Sequence, residues 1–279
     1  MTLTSALQSL PLTVFVEGIG LLGPGLSNWA QGRGVLAGSD TYQPARCVVP
    51  LPMALPAAER RRAGMVVKVG LAVGQEAVAA SGLAANALPS VFTSSSGDAI
   101  NCHEICSALA SNDRLISPTR FHNSVHNAAS GYWSISSGAM ASSSVLCAHD
   151  GSFAAGLLEA MAQVMLEQTA VLLVAYDTDY PEPLRSVRPL PDSFGVALVL
   201  APRRSERSLA QWQLAPAAFL SDAPTQRMEN EALELLRSGV PAARCLPLLR
   251  SVAAQQRQGE VLLDYLPGRQ LAVQVTPCL

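Results

Sequence analysis

Residues Ala141–Tyr176 read ASSSVLCAHDGSFAAGLLEAMAQVMLEQTAVLLVAY, and this stretch decides the fold. Ser142–Ala148 has strand character and His149–Gly151 is a tight connection. Ser152–Gln168 then sets Phe153, Leu157, Met161, Val164 and Met165 on one face at helical spacing. Ala170–Tyr176 is apolar at almost every position, the pattern of a strand covered on both faces. Strand, elbow, long helix and strand in immediate succession predict a βαβ unit in a parallel sheet.

Working outward towards the C-terminus, Asp177–Asp192 reads as a proline-punctuated loop and Phe194–Leu200 as another buried strand. Glu229–Arg237 and Pro247–Gln256 look helical, and Val261–Tyr265 and Leu271–Val275 flank the turn around Pro267–Gly268 as a final hairpin. Towards the N-terminus, Leu12–Gly20 reads as a strand and the Gly/Pro-rich stretch Gly18–Gly25 as the turn after it. Pro44, Pro50, Pro52 and Pro56 mark an extended connector, and Glu59–Leu83 carries a helical pattern interrupted at Gly70 and Gly74. Leu88–Thr93 is a short buried strand, followed by the loop Ser94–Gly97 and a helix opening at Asp98, where an acid suits the helix dipole.

The composition narrows the function. The chain has 279 residues, 49% hydrophobic and 14% charged, which is enough to bury a substantial core and excludes disorder and a small disulfide-stapled module. A formal net charge of -2 supplies no cationic field for phosphate backbones or anionic lipid, so nucleic acid is not an expected partner. Mean hydropathy is +0.25, yet the longest clean apolar run, near Ala170–Ala175, is far shorter than the ~20 residues needed to span a bilayer. So little polar surface predicts that another subunit covers part of the apolar surface. Met1–Leu12 has no basic segment before its apolar residues and does not read as a secretion signal, so the expected location is the cytoplasm. Cys47, Cys102, Cys106, Cys147, Cys245 and Cys278 are scattered, the pattern of reduced buried thiols rather than of a disulfide framework.

A strand-to-helix elbow is where several enzyme families mount a nucleophile, and here it reads Cys147-Ala148-His149-Asp150-Gly151-Ser152. At this point the chain resembles the β-ketoacyl synthases of the thiolase fold, whose elbow cysteine takes the growing acyl chain. The resemblance runs from about Val14 to Leu200 through five segments in order: the opening Val-Glu-Gly-Ile-Gly-Leu strand, the Ser117-Pro118…Asn127…Gly131 segment, the Ser-rich strand before the elbow, the Leu158–Tyr176 helix and strand, and Phe194–Leu200. It implies an α/β, thiolase-like layered fold with a complete N-terminal half, residues 1–202, and a shortened C-terminal half, residues 203–279, packed on the same domain.

Laid on the family's pattern, Asp150 stands at the position of the nucleophile, with no thiol there. Its bland reading is a cap on the following helix. Cys147 lies three residues upstream, where an inert buried thiol is favoured. All four histidines, His103, His122, His126 and His149, lie in the first 149 residues, whereas condensing ketosynthases draw theirs from the C-terminal half. The resemblance therefore implies no catalytic residue, no cofactor and no metal. Cys102-His103-x-x-Cys106 with His122 and His126 has no second paired-ligand motif to make a zinc site. Ser94-Ser95-Ser96-Gly97-Asp98 lacks the Lys of a phosphate loop, so a plain helix cap is favoured, and Ser142, Ser143 and Ser144 match no serine-hydrolase elbow. Arg60-Arg61-Arg62 reads as a solvated helix start or as a contact for an acidic carrier protein.

The chain thus looks like a chain length factor: an inactive ketosynthase-like subunit that pairs with a catalytic ketosynthase, or with itself when alone, and meets acyl carrier protein through the complex. The shortened C-terminal half, His126-Asn127 and Cys147-x-x-Asp150 resemble the truncated proteins of aryl polyene pathways. Ser117–Ala128 matches the segment that reaches the partner's pocket, so Arg120, Phe121, Ser124 and Val125 are candidates for its wall or for interface packing. Two other readings stay open: an autonomous acyltransferase or hydrolase using Cys147 with His149, and a purely structural stabiliser of a ketosynthase.

Overall fold

The computed structural model describes residues 11–214, 224–255 and 259–278; residues 1–10 of the segment read for a secretion signal, and Gln256, lie outside them. Eight strands are present among the described residues: β1 (Leu12–Leu22), β2 (Ser90–Thr93), β3 (Ser143–Leu146), β4 (Val171–Asp177), β5 (Phe194–Ala201), β6 (Ala210–Leu214), β7 (Gly259–Leu266) and β8 (Arg269–Pro277). They form one mixed sheet in the order β3-β2-β4-β5-β1-β6-β8-β7. The predicted βαβ unit is there, with a correction: β3 and β4 are parallel but not neighbours, because β2 lies between them and pairs with both. Beyond β4 every pairing is antiparallel. Residues 210–214 and 259–277 extend the same sheet beyond β1.

Among the described residues ten helices cover the sheet: α1 (Trp29–Ala37), α2 (Ala57–Arg62), α3 (Met65–Ser81), α4 (Ala99–Ala110), α5 (Pro118–Asn123), α6 (Ala128–Ser137), α7 (Ser152–Glu167), α8 (Leu184–Val187), α9 (Glu231–Gly239) and α10 (Leu246–Ala254). Strand alternation explains why β4 is apolar throughout. Val171, Leu173 and Ala175 enter the core with α1, α7, α9 and α10, while Leu172, Val174 and Tyr176 enter the opposite core with α3 and α6. Each of these valine and leucine side chains contributes about 1.5–3 kcal/mol by leaving water. The arrangement is the thiolase-like layered fold expected from the sequence.

Several local readings are corrected. Gly18 and Gly20 do not turn the chain; they lie inside β1, which runs on to Leu22. A Cβ on them would fall 2.1 Å from the Ala77 carbonyl oxygen and 2.0 Å from that of Val73. The glycines therefore let α3 lie directly on the strand. The helical pattern of 59–83 breaks at Ala63–Gly64 rather than at Gly70 or Gly74. At Gly74 the space a side chain would take is filled by the Trp133 ring. The arginines 60–62 form the last turn of α2, not its start. α8 interrupts the loop 177–192, and α1, α6 and β6 carry no sequence prediction.

Candidate functional site

The elbow is a single 3-10 turn, His149–Gly151, between β3 and α7. His149 has a left-handed backbone, φ 49°, which costs a non-glycine residue about 1 kcal/mol. Ser152 holds the turn: its hydroxyl accepts from the Ala148 amide at 3.0 Å and donates to the His149 carbonyl at 2.7 Å. Asp150 does not cap α7, whose first residues receive no side-chain cap. Its Oδ1 accepts from Arg188 Nη2 at 2.8 Å and its Oδ2 from Arg244 Nη2 at 3.1 Å. Partial burial alone would raise its pKa, but the Arg188 hydrogen bond and the charges of Arg244 and Arg188 outweigh that and hold the carboxyl below its usual range. Such a carboxylate is engaged with cations rather than presented to an acyl group.

Arg188 Nη1 also lies 2.8 Å from His149 Nε2. A guanidinium only donates, so that nitrogen is the acceptor and its lone pair is taken. The Cys147 thiol points to the Ser95 carbonyl oxygen at 3.0 Å. Thiol and imidazole thus have other partners, which leaves no ready nucleophile–base pair. The expectation of a buried Cys147 is overturned: it is exposed, because it lies just past the end of β3, an edge strand that no further strand covers among the described residues. The wider expectation of buried thiols fails as well. Cys102 and Cys106 are exposed on α4, Cys47 and Cys278 are half-buried, and Cys245 is buried.

The C-terminal hairpin roofs the elbow. A Cβ on Gly151 would lie 1.7 Å from the Tyr265 carbonyl oxygen, so backbone rests on backbone. A cavity of about 320 Å³ remains beside this contact, lined by His149, Asp150, Arg244, Asp264, Arg269 and Gln270 among others. Arg237 Nη1 lies 2.9 Å from Asp264 Oδ2, and Arg237 Nε lies 2.7 Å from Glu234 Oε2. The hydrogen bond from Arg237 is the main reason the Glu234 carboxyl is lowered to about 2. A second tie runs through Asp177 at the end of β4. Its Oδ1 accepts from the Ser95 amide and hydroxyl at 2.9 and 2.7 Å, and its Oδ2 from the Ala242 amide at 2.8 Å. Burial nevertheless pushes its carboxyl up to about 6.

The four wall candidates lie on or just after α5 and divide into two pairs. Phe121 and Val125, 65% and 52% exposed, line a cavity of about 490 Å³ with Pro118, Gly131, Tyr132 and Ile135. Arg120 instead meets Glu104 of α4 at 3.5 Å, and Ser124 turns its hydroxyl to the Phe121 carbonyl. Ile135, 51% exposed, and Met140, 94% exposed, lie on and just after α6. The sequence reading missed Tyr132 and Ile135 because Ser and Gly dilute the apolar spacing of α6. It also missed Arg188, Arg244 and Asp264, for which only distance in space, not spacing in sequence, provides the signal. Asp98 does cap α4, accepting from the Asn101 amide at 2.9 Å. Among the described residues no three His, Cys, Asp or Glu side chains converge as a metal site, and no helix is long and apolar enough to cross a membrane.

The family described as "Beta-ketoacyl synthase, N-terminal domain" matches residues 27–259. No curated protein sequence matches the chain. Among solved structures, a ketosynthase in complex with its chain length factor from Xenorhabdus doucetiae superposes with a TM-score of 0.70 at 20% identity, covering 94% of this chain and 99% of that one. The ishigamide ketosynthase/chain length factor gives 0.71 at 13% identity, covering 96% and 100%. A β-ketoacyl synthase from Burkholderia phymatum gives 0.57 at 13% identity, and there the match covers 88% of this chain but 71% of the other.

Proposed function

We propose, from the premise that this chain belongs to the β-ketoacyl synthase N-terminal domain family, that it is a non-catalytic ketosynthase-like subunit, a chain length factor. It would pair with an active β-ketoacyl synthase and help shape that enzyme's acyl-binding pocket. One observation carries the reading: the elbow presents a carboxylate gripped by Arg188 and Arg244 beneath a hairpin that touches Gly151. Claisen condensation needs an acyl-accepting thiol and groups that stabilise the enolate and oxyanion. Here a carboxylate replaces the thiol at the nucleophile position, and no histidine lies after residue 149. The near-complete coverage of both chains in the ketosynthase/chain length factor complexes supports the same reading.

The surface supports pairing. β3 is one edge of the sheet, and Phe121, Val125, Ile135 and Met140 leave large apolar side chains in water. A patch of this kind marks an interface more often than a free surface. On this proposal residues 1–202 form the ketosynthase-like domain and 203–279 its reduced second half. Phe121 and Val125 meet the partner or wall its pocket, with Arg120 and Ser124 at the rim. Acyl carrier protein is met through the complex in the cytoplasm, and the pathway is of the aryl polyene type.

Co-expression with co-encoded ketosynthases, followed by size exclusion, tests the proposal. A heterodimer in which iodoacetamide or cerulenin blocks turnover by modifying the partner alone supports it. A well-behaved monomer that ignores every such ketosynthase, or extension of a malonyl thioester by the isolated chain, overturns it. The exposure of Cys147 favours one second reading, an autonomous acyl transfer or hydrolysis through that thiol. Rapid labelling of Cys147 that stops turnover by the isolated chain would establish that reading instead.

A further inference from the structure

The contacts of Asp150 join three segments that are distant in sequence. Its two carboxylate oxygens hold Arg188, from the loop before β5, and Arg244, from the turn before α10. Arg244 Nη1 continues to Asp264 of β7 at 3.7 Å, and Arg237 of α9 reaches the same Asp264 oxygen at 2.9 Å. Glu234 then binds Arg237 at 2.7 and 2.8 Å, and its Oε2 accepts from the Met228 amide at 2.8 Å. Charges thus alternate in sign along a path from the elbow to the C-terminal helices and hairpin. Arg188, Arg237 and Arg244 keep only 23%, 8% and 17% of their side chains exposed, against 41% for Asp150, so a guanidinium that lost its counter-charge would stay largely shielded from water.

We infer that Asp150 is a positioning residue: its carboxylate is the latch by which the turn at Arg244 and the hairpin residues 259–270 are held closed over the elbow. The position that the family resemblance assigns to an acyl acceptor is on this view a structural joint. Geometry supports this over a casual surface pair. Each oxygen of one carboxylate has its own guanidinium, Arg188 is fixed a second time by His149, and the roof is in backbone contact at Gly151 and Tyr265. Were the latch removed, Arg188 and Arg244 would lose the anion that stands between them beside the small cavity at the elbow. Like charge and the need for water would open it. The inference concerns the folded chain itself and holds whether or not a partner is bound.

Two local reporters test it. Amide exchange in residues 262–270 reads the hairpin, and alkylation of Cys245, buried next to Arg244, reads the turn it belongs to. In the full chain, with its partner if that is required for purification, Asp150→Asn should raise both rates at least tenfold. Exchange at the centres of β4 and β5 should stay as in the parent, and Asp150→Glu should return both reporters to within a few-fold. Unchanged reporters in Asp150→Asn would overturn the inference. So would loss of protection spread evenly over β4 and β5, since that is general destabilisation rather than an opened joint. If Asp150→Asn does not accumulate, Arg244→Gln breaks the same tie from the side of the roof, so a latch predicts faster Cys245 alkylation in that chain, and an unchanged rate refutes it.

Discussion

The Gly151 backbone and the Tyr265 carbonyl oxygen are so close that a Cβ on the glycine would lie 1.7 Å from that oxygen. The elbow that resembles a nucleophile mount is therefore closed by the chain's own C-terminal hairpin. The C-terminal hairpin covers the end of the β3–α7 connection and, with β6, extends the sheet beyond β1. Function and fold meet at this contact, because an elbow roofed by backbone leaves only a small polar cavity beside it.

Two glycine substitutions separate close approach from conformational freedom. Gly151 has an ordinary φ of -88°, so alanine there is unstrained in itself and clashes with the Tyr265 backbone. Gly151→Ala should destabilise the chain by about 1–3 kcal/mol, since neither backbone can withdraw freely. Gly131 lies within α6 with nothing within 4 Å of its missing Cβ. Gly131→Ala should stabilise the isolated chain by about 0.5–1 kcal/mol, as a helix interior does when glycine is replaced. Urea midpoints of the two variants at constant slope check both signs.

Phe121 is 65% exposed, so a charge there has little folding energy to remove but, on the proposed pairing, much interface energy. Phe121→Asp should leave thermal stability within about 0.5 kcal/mol of the parent, the usual range for surface positions. It should nevertheless weaken association with the ketosynthase by at least tenfold, because central aromatic contacts dominate interfaces. Ser124→Ala, whose hydroxyl serves its own helix turn, should change association little. Quantitative co-purification of the three chains is the measurement, and equal recovery of Phe121→Asp and parent would remove α5 from the interface.

Glu234 and Arg237 form the least exposed ion pair of the C-terminal region among the described residues, with 12% and 8% of their side chains accessible. Glu234→Ala leaves the guanidinium with Asp264 as its remaining counter-charge and frees the Met228 amide. A loss of about 3 kcal/mol is expected, at the lower end for breaking a buried pair because one partner persists. Chemical denaturation of Glu234→Ala and Asp264→Ala, singly and together, should show coupling between them, as both act on one arginine.

Much of the fold was legible in the sequence because periodicity reports burial. Ala170–Tyr176 and Phe194–Leu200 are apolar on both faces and became β4 and β5, and Phe153, Leu157, Met161 and Val164 gave α7 its buried side. Gly18 and Gly20 misled, since composition cannot distinguish a glycine that turns the chain from one that admits a helix against a strand. α6 was missed because its serines bond back to carbonyls of their own helix and dilute the apolar pattern. At the site, the elbow could be found from local order, and the candidates on and just after α5 from the family resemblance. The partners of Asp150 could not: Arg188 and Arg244 sit in unremarkable local sequence and acquire meaning only from the path of the chain in space.

Asp177 and Asp150 respond to acid in opposite directions. The Asp177 carboxyl titrates near 6 in the fold against an ordinary value of 3.8, so between these values the folded chain holds a proton that the unfolded chain releases. Its contribution to stability therefore falls as pH rises from about 4 to 6 and is constant above that. Asp150 is held below its ordinary value, so its contribution is complete above about pH 4 and is lost as pH falls further through the lowered value. Asp177→Asn removes the first titration at the cost of setting an amide N–H against the Ala242 amide. The difference in stability between parent and Asp177→Asn should then shift by roughly 2–3 kcal/mol in disfavour of the parent between pH 4 and 6, the worth of about two pKa units. Urea unfolding of both chains at half-unit pH steps measures it. A difference that is flat across that interval would mean that Ser95 and Ala242 hold the carboxylate as firmly as water does.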